Sequence, residues 1–526
     1  MNHITTWAND ITRETLYWLY GPAGTGKSTI AASFIRLLVA TNQLGATYLF
    51  KRGDKDRNDT ALFFPTIASQ LVLTIPSFKI HLKRSLEKIG NTKIEKKALE
   101  EQFKTLILAP LSEVLPDNSE ILTKVIIVDA LDECEWHGHI PRILNLLAQL
   151  QKLSTIRLCV FLTSRSASPI VDVFEDFRRN SSTYSSLALH EEFYNETTAD
   201  IRSFLTKQFA NIKSRRKITK DPWPESEKLD RLFTLASQPS PLFIYAATLC
   251  RFVNDETGRK MPTKQLELWL KECSKNTSQL SQIYLPVLRQ VLLGTDMQGE
   301  NDDPLSEEDQ LELLQVLGSI ILLATPLPAR ALAALLNIEE YDVNHWLQNF
   351  HAVLNIPSNL DAPVQILHKS FSDFLLGDKG TDILNFKVNA PEIHAMLALK
   401  CIMRIQALKK DICDIREPGM LRDDIDSTII ALNIPPDLNY ACLHWVYHLQ
   451  NSGRDNLNTE KVYAFLSTHL LHWLEALSLI GKISEGILAI TSLESYIPVS
   501  YHHSFCGILL INGQGCSKPK SIRPRP

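Results

Sequence analysis

The sequence predicts an α/β domain, a parallel sheet with helices on both faces in three layers, followed by a mainly helical remainder. Three observations predict it. Residues 1–190 alternate apolar runs with helix-periodic stretches, the pattern of right-handed strand–helix–strand crossovers. One run, Val125 to Val128, is continuously apolar, as a strand covered on both faces must be. Beyond residue 190 the periodicity is helical apart from two short runs.

The first strand and its turn read "LYWLYGPAGTGKSTIAASF" (16–34). Tyr17 to Tyr20 form the strand, and Ile30, Phe34, Leu37 and Leu38 give the stripe of the next helix. Between them Gly21, Pro22, Ala23, Gly24, Thr25, Gly26, Lys27 and Ser28 fit G-x-x-x-x-G-K-[ST], a phosphate-binding loop, with Thr29 following. Glycines let backbone N–H groups turn inward on anionic oxygens. A helix starting at Ser28 adds its positive end. Lys27 supplies a point charge to β- and γ-phosphates, and the Ser28 hydroxyl suits Mg²⁺.

The second strand element is "KVIIVDALDECEW" (124–136). Asp129 ends it, where open α/β sheets place ligands, and is expected to hold the Mg²⁺ shell. Asp132 and Glu133 follow, and either could orient or deprotonate an attacking water. The third, "IRLCVFLTSR" (156–165), ends in Thr163, Ser164 and Arg165, a polar tip suited to sensing a γ-phosphate through the arginine. No Asn-Lys-x-Asp base reader is present, and Asp296-Met297-Gln298-Gly299 lies far from the loop, so ATP is expected over GTP. Cys134, His137 and His139 make a C-x-x-H-x-H cluster with no fourth ligand in view, a weak zinc pattern.

Composition excludes other classes. The 526 residues are 44% hydrophobic and 22% charged, with net charge −4, which gives no support for nucleic-acid or membrane partners. The longest apolar stretch (316–329) is too short to span a bilayer and carries two prolines. Nine cysteines, an odd number without a CxxC pair, read as reduced thiols. No signal peptide is visible at the start of the sequence. The expected location is cytoplasmic.

Further along, Ile140, Ile143, Leu144, Leu147 and Leu150 predict a helix packed on the sheet. Ile201, Phe204, Leu205 and Phe209 share one side of a helix that Thr197 can cap. The acidic stretch 294–310 reads as a boundary loop, after which Ser306 caps a helix. "HAVLNI" and "VQILHKSF" read as strands, with Val364, Ile366 and His368 alternating against Gln365, Leu367 and Lys369. Leu466, Leu470, Trp473, Leu474 and Leu477 form a late stripe that Gly481 can end. No repeat of 20–50 residues is visible.

"GPAGTGKST", "VDALDE" and "LTSR", in that order, resemble the NACHT domain of STAND signalling ATPases, the class that includes NOD-like receptors. The stretch 44–71, "LFIYAATLCRFV" (242–253), "ILHKSFSDFLL" (366–376) and "FLSTHLLHWLEALSLIG" (465–481) are similar to later blocks of the fungal NACHT group. The resemblance, over about residues 5–485, implies an α/β P-loop NTPase domain over 1–190, a helical lid over 191–278, a winged helix over 279–382 and an all-α segment over 383–485. The end, with four cations, no acid and three prolines in 513–526, reads as an irregular, disordered tail, taken over 486–526. The resemblance also implies that Pro241 meets the nucleotide base and that His368 touches the ADP β-phosphate in a closed state. Members of the group begin with an effector domain and continue into a repeat sensor. This sequence carries neither, which reads as a truncated paralogue or an incomplete gene model.

Three functions are expected to compete. The first is a slow ATPase switch of intracellular signalling, of the nonself-recognition kind, in which ADP closes the lid and ATP opens a self-associating surface. The second is a conventional AAA-like P-loop ATPase. The third is a nucleotide-binding scaffold without significant hydrolysis.

Overall fold

Alternating residues of an extended strand point to opposite faces, so a strand buried on both must feed two cores. The first strand does this. In the computed structural model β1 (Leu16–Tyr20) sends Leu16 and Trp18 into one apolar cluster and Tyr17 and Leu19 into another. The structure describes all residues except 52–56, 58–59, 89–93, 115–121, 135, 155, 180–183, 256–259, 274–277, 294–304, 358, 378–386, 417–419, 454–458 and 497–526. The chain divides into two units, Met1–Ser274 and Lys275–Pro526.

In the first unit β1 is joined by β2 (Leu44–Leu49), β3 (Leu122–Asp129), β4 (Ile156–Ser164) and β5 (Ser185–Ala188). All pair in parallel, in the order β2-β3-β4-β1-β5. The helix Lys27–Ala40 covers one face with Ala31, Phe34 and Leu38. On the other face, Phe63–Thr74 and Ile140–Ala148 contribute Phe63, Phe64, Ile143 and Leu147. The three-layer α/β expectation therefore stands. The register sets Tyr20 beside both Ser164 and Ala188, and Val128 beside Leu162, which gathers the strand tips at one edge. Buried Lys124 in β3 donates to the Asn42 carbonyl at 2.7 Å, which satisfies a cation that burial alone would penalise.

Helices follow: Tyr194–Arg215, Ser226–Ser237, Phe243–Asn254 and Pro262–Glu272. Thr197 lies inside the first of these, not at its cap, because the helix already begins at Tyr194. The second unit opens with Gln279–Leu293, Glu307–Leu322, Ala329–Leu336 and Glu340–Gln348. Ser306 caps Glu307–Leu322 as expected, accepting from Asp309 N at 3.1 Å. Residues 294–304 of the anticipated boundary loop, with Asp296 to Gly299, lie outside the described residues. The two expected strands shrink to an antiparallel pair, β6 (Leu354–Asn355) and β7 (Gln365–Ile366).

Long helices complete this unit: Ala390–Ile405, Pro436–Asn451, Thr459–Ile480 and Ile483–Tyr496. Gly481 ends the third at φ +77°, with Lys482 N donating back to Leu477 O at 2.8 Å. The last helix corrects the expected irregular tail from 486. Ile490 and Leu493 are buried on it, and only 497–526 lie outside the described residues. The seven described cysteines are all buried and none forms a disulfide; Cys506 and Cys516 fall in the undescribed stretch. Among the described residues no helix is long and apolar enough to cross a membrane.

One polar chain runs through these helices. Ala324 N donates to Tyr440 Oη at 3.0 Å, Tyr440 Oη meets His448 Nε2 at 2.7 Å, and His448 Nδ1 meets His394 Nδ1 at 2.8 Å. One neutral assignment satisfies every link: Tyr440 donates to Nε2, and His448 donates from Nδ1 to the bare Nδ1 of His394. A further proton on His394 would force His448 into its other tautomer, so that Tyr440 accepts from Nε2 and its own hydroxyl proton loses its acceptor. Burial accordingly lowers His394 from 6.5 to about 4 and drives His448 well below the ordinary range. A histidine depressed by folding keeps its stability above 6.5 and loses it as pH falls toward the folded value. Denaturant titrations of the full chain should therefore show roughly 3 kcal/mol lost between pH 6.5 and 4 from His394 alone. His394→Gln should flatten that slope; an unchanged slope would contradict the assignment.

Candidate functional site

A loop with almost no side chains can bring its own amides into the site. Residues 21–26 run from the tip of β1 to the helix Lys27–Ala40, which begins one residue before the expected Ser28. Gly24 and Gly26 lie in the left-handed region, at φ +81° and +94°. Thr25 is buried, its hydroxyl donating to Pro22 O at 3.0 Å. Lys27 Nζ donates to Gly21 O and Pro22 O, both at 2.8 Å, so the cation is drawn across the mouth of the loop. Burial lowers Lys27 from 10.5 to about 8; Asp132, Asp129 and Glu133 oppose that shift and Arg165 adds to it. Ser28 and Thr29 are exposed at the start of the helix.

The acidic tip stands beside this loop. Asp129 is buried and accepts from the Thr163 hydroxyl, which itself accepts from Ala130 N at 3.0 Å. Ala130 takes φ +55°, which turns Leu131–Glu133 into a tight 3₁₀ turn off the strand. Asp132 is paired with Arg165 twice, from the guanidinium Nε at 3.0 Å and the backbone N at 3.1 Å. Arg165 is thus held by an acid of the neighbouring strand. The rest of the expected polar tip is spent inside the protein. Thr163 positions Asp129, while Ser164 accepts from Trp18 Nε1 at 2.8 Å and donates to Arg165 O at 2.9 Å.

Pro241 is buried two residues before the helix Phe243–Asn254, whose first turn touches the loop. A Cβ on Gly24 would stand 2.2 Å from Ile244 Cγ2, and Ile244 N reaches Gly24 O at 3.4 Å. Phe243 lies beside Gly26. His368 belongs to the second unit. It sits past β7 in the turn before Ser370–Leu376, not on a strand, because its Nδ1 accepts from Ser370 N at 3.2 Å as a helix-start contact. Ser370 Oγ in turn meets Tyr284 Oη at 2.6 Å. The zinc pattern does not converge. Cys134 Sγ faces the Trp136 carbonyl and His139 Nδ1 meets Thr60 Oγ1 at 2.7 Å; no metal-holding cluster is found among the described residues.

Sequence reasoning missed two neighbours of the loop. Ile244 read only as part of an apolar block. His190, past the tip of β5, places Nδ1 3.1 Å from where a Cβ on Gly21 would be. Only the parallel pairing of β5 with β1 brings it there.

Residues 1–165 match the family model described as Nephrocystin 3, N-terminal. The vegetative incompatibility protein HET-E-1 of Podospora anserina is 22% identical over 516 residues, covering 92% of this chain; the chain spans 35% of that protein's length. Two solved structures overlap loosely. The Drosophila ORC bound to DNA covers 68% of this chain and 82% of its own at 15% identity and a TM-score of 0.26. Cdc6p from Pyrobaculum aerophilum covers 70% and 88% at 13% identity and a TM-score of 0.28. The fold assignment rests on the sheet itself. Loop, acidic strand, polar strand tip and the two sequence matches agree, and the chain is a relative of the NACHT-type STAND P-loop NTPases.

Proposed function

We propose that the chain is an ATP/ADP-binding switch of intracellular signalling with slow hydrolysis. The observation that carries the reading is the convergence on Lys27: one half-buried cation in a glycine loop feels Asp129, Asp132, Glu133 and Arg165 together. The residues fit a magnesium nucleotide. Gly21 to Lys27 would cradle the phosphates, Ser28 and Asp129 would hold Mg²⁺, and the metal would neutralise charge on the transferred group. Pro241, ahead of the helix that touches the loop, suits the base side of the site. ADP would hold the lid over 191–278 closed against the domain over 1–190. ATP would release it for self-association, with 279–382 as a winged helix and 383–485 as an all-α extension. The name of the Podospora relative favours a nonself-recognition role.

Asp132 and Glu133 stand as the groups that activate water, and the hold of Arg165 on Asp132 favours low turnover. Steady-state ATP hydrolysis by the full chain is expected to be slow, and Glu133→Gln is expected to lower it tenfold or more while ATP still binds. High turnover without a partner would favour an AAA-like enzyme. Undiminished hydrolysis in Glu133→Gln would remove Glu133 from its role, and no hydrolysis at all would leave a binding scaffold. Tighter GTP than ATP binding in the same titration would overturn the choice of nucleotide.

A further inference from the structure

The chain leaves β5 through Leu189, which is buried, into His190 and Glu191. Tyr20 and Ala188 are register partners at the tips of adjacent strands, so Gly21 and His190 emerge side by side. The imidazole lies against the loop backbone, its Nδ1 3.1 Å and its Cγ 3.8 Å from a Cβ position on Gly21. Nε2 stands 3.5 Å from Glu191 Oε1, and a ring that carries its proton on Nε2 turns that N–H toward the carboxylate. Nδ1 is then a bare acceptor. It is buried and has no hydrogen-bond partner among the described residues. Buried acceptors in native proteins are paired, so this one calls for a donor from outside the chain.

The sheet order says which donor. The charged groups that act on Lys27 come from β3 and β4 and the turns that follow them: Asp129, Asp132, Glu133 and Arg165. In the order β3-β4-β1-β5, His190 stands on the far side of the loop from all four. The metal and the terminal phosphate belong with the acids. The part of a nucleotide left for the β5 side is the nucleoside, and its sugar hydroxyls or an exocyclic amine can donate where phosphate oxygens cannot. Resting on the nucleotide reading above, we propose that His190 Nδ1 accepts a hydrogen bond from the nucleoside end of the bound nucleotide and so separates nucleotides from bare polyphosphate.

Calorimetric titration of the full chain with Mg²⁺ and ATP, ADP or inorganic tripolyphosphate tests this. His190→Ala should weaken ATP and ADP roughly three- to tenfold and leave tripolyphosphate unchanged. His190→Gln, which keeps an acceptor, should bind ATP within about twofold of the parent. Should the alanine variant fail to fold, His190→Phe fills the same space without an acceptor and gives the same contrast. Equal ATP binding in parent and His190→Ala, or an equal loss for ATP and tripolyphosphate, would overturn the proposal while the phosphate-loop reading stood. A parent chain that binds neither ligand would remove both.

Discussion

Lys27→Ala is expected to reduce ATP binding by roughly 30-fold to several thousandfold, below detection in an ordinary titration. The ammonium is half-buried, it donates to two loop carbonyls at 2.8 Å, and the nearby carboxylates compensate its charge incompletely. A polyphosphate would supply the missing negative charge at short range. Truncating one member of a buried, hydrogen-bonded charge pair costs about 2–5 kcal/mol, because the other is left with its desolvation unrepaid. The same lysine gives the binding reaction a pH signature. Below about 8 the free protein carries the proton, and binding takes up none. Above that value Lys27 is neutral in the free protein, and the phosphates must recruit a proton to restore the ammonium. ATP affinity should therefore be flat below about pH 8 and fall above it, by up to about tenfold per unit. Lys27→Ala should abolish that slope while preserving the circular-dichroism spectrum. Binding retained in the variant would mean that this loop is not the phosphate site.

The second large effect is steric. Gly24→Ala should destabilise the first unit by about 2–5 kcal/mol. Two costs add. At φ +81° an L-residue pays about 1–2 kcal/mol for the left-handed backbone. The new methyl would also stand 2.2 Å from Ile244 Cγ2 and 2.9 Å from Ile244 Cβ, a branched carbon that no rotamer change removes. Gly26→Ala separates the terms. It has the backbone cost, at φ +94°, and only a Phe243 ring carbon at 3.9 Å. Gly138→Ala, with nothing within 4 Å, is the control. Denaturant midpoints should rank Gly138→Ala above Gly26→Ala above Gly24→Ala. Adding Ile244→Ala to Gly24→Ala should recover the steric part only, a coupling of about 1 kcal/mol or more. Equal midpoints for the Gly24 and Gly26 variants would show that the helix does not press on the loop.

The loop and acidic strand were legible because their chemistry is local. Glycines that must take positive φ, a cation at a helix start and an acid ending an apolar run are each written within a few adjacent positions. The apolar stripes were legible for the same reason: Ile143, Leu147, Leu205 and Trp473 declare a helix face by spacing alone. Contacts set by tertiary pairing were not. Thr163 and Ser164 look like ligand-sensing hydroxyls in sequence, yet Asp129 and Trp18 claim them once β1, β3 and β4 align. His190 is an ordinary histidine in a polar stretch until β5 sets it beside Gly21. His368 reads as a strand residue by alternation, but Ser370 captures it into a helix start. The helix that runs to Tyr496 went unread because the character of the cation- and proline-rich end, 513–526, was extended back to 486.

The contact between Gly24 and Ile244 joins main chain to main chain, with no flexible side chain between them to absorb motion. Mechanically the loop and the head of that helix form a stiff linkage. A fraction of an ångström of travel in one is passed to the other undamped, and a twelve-residue rod carries it outward to Asn254.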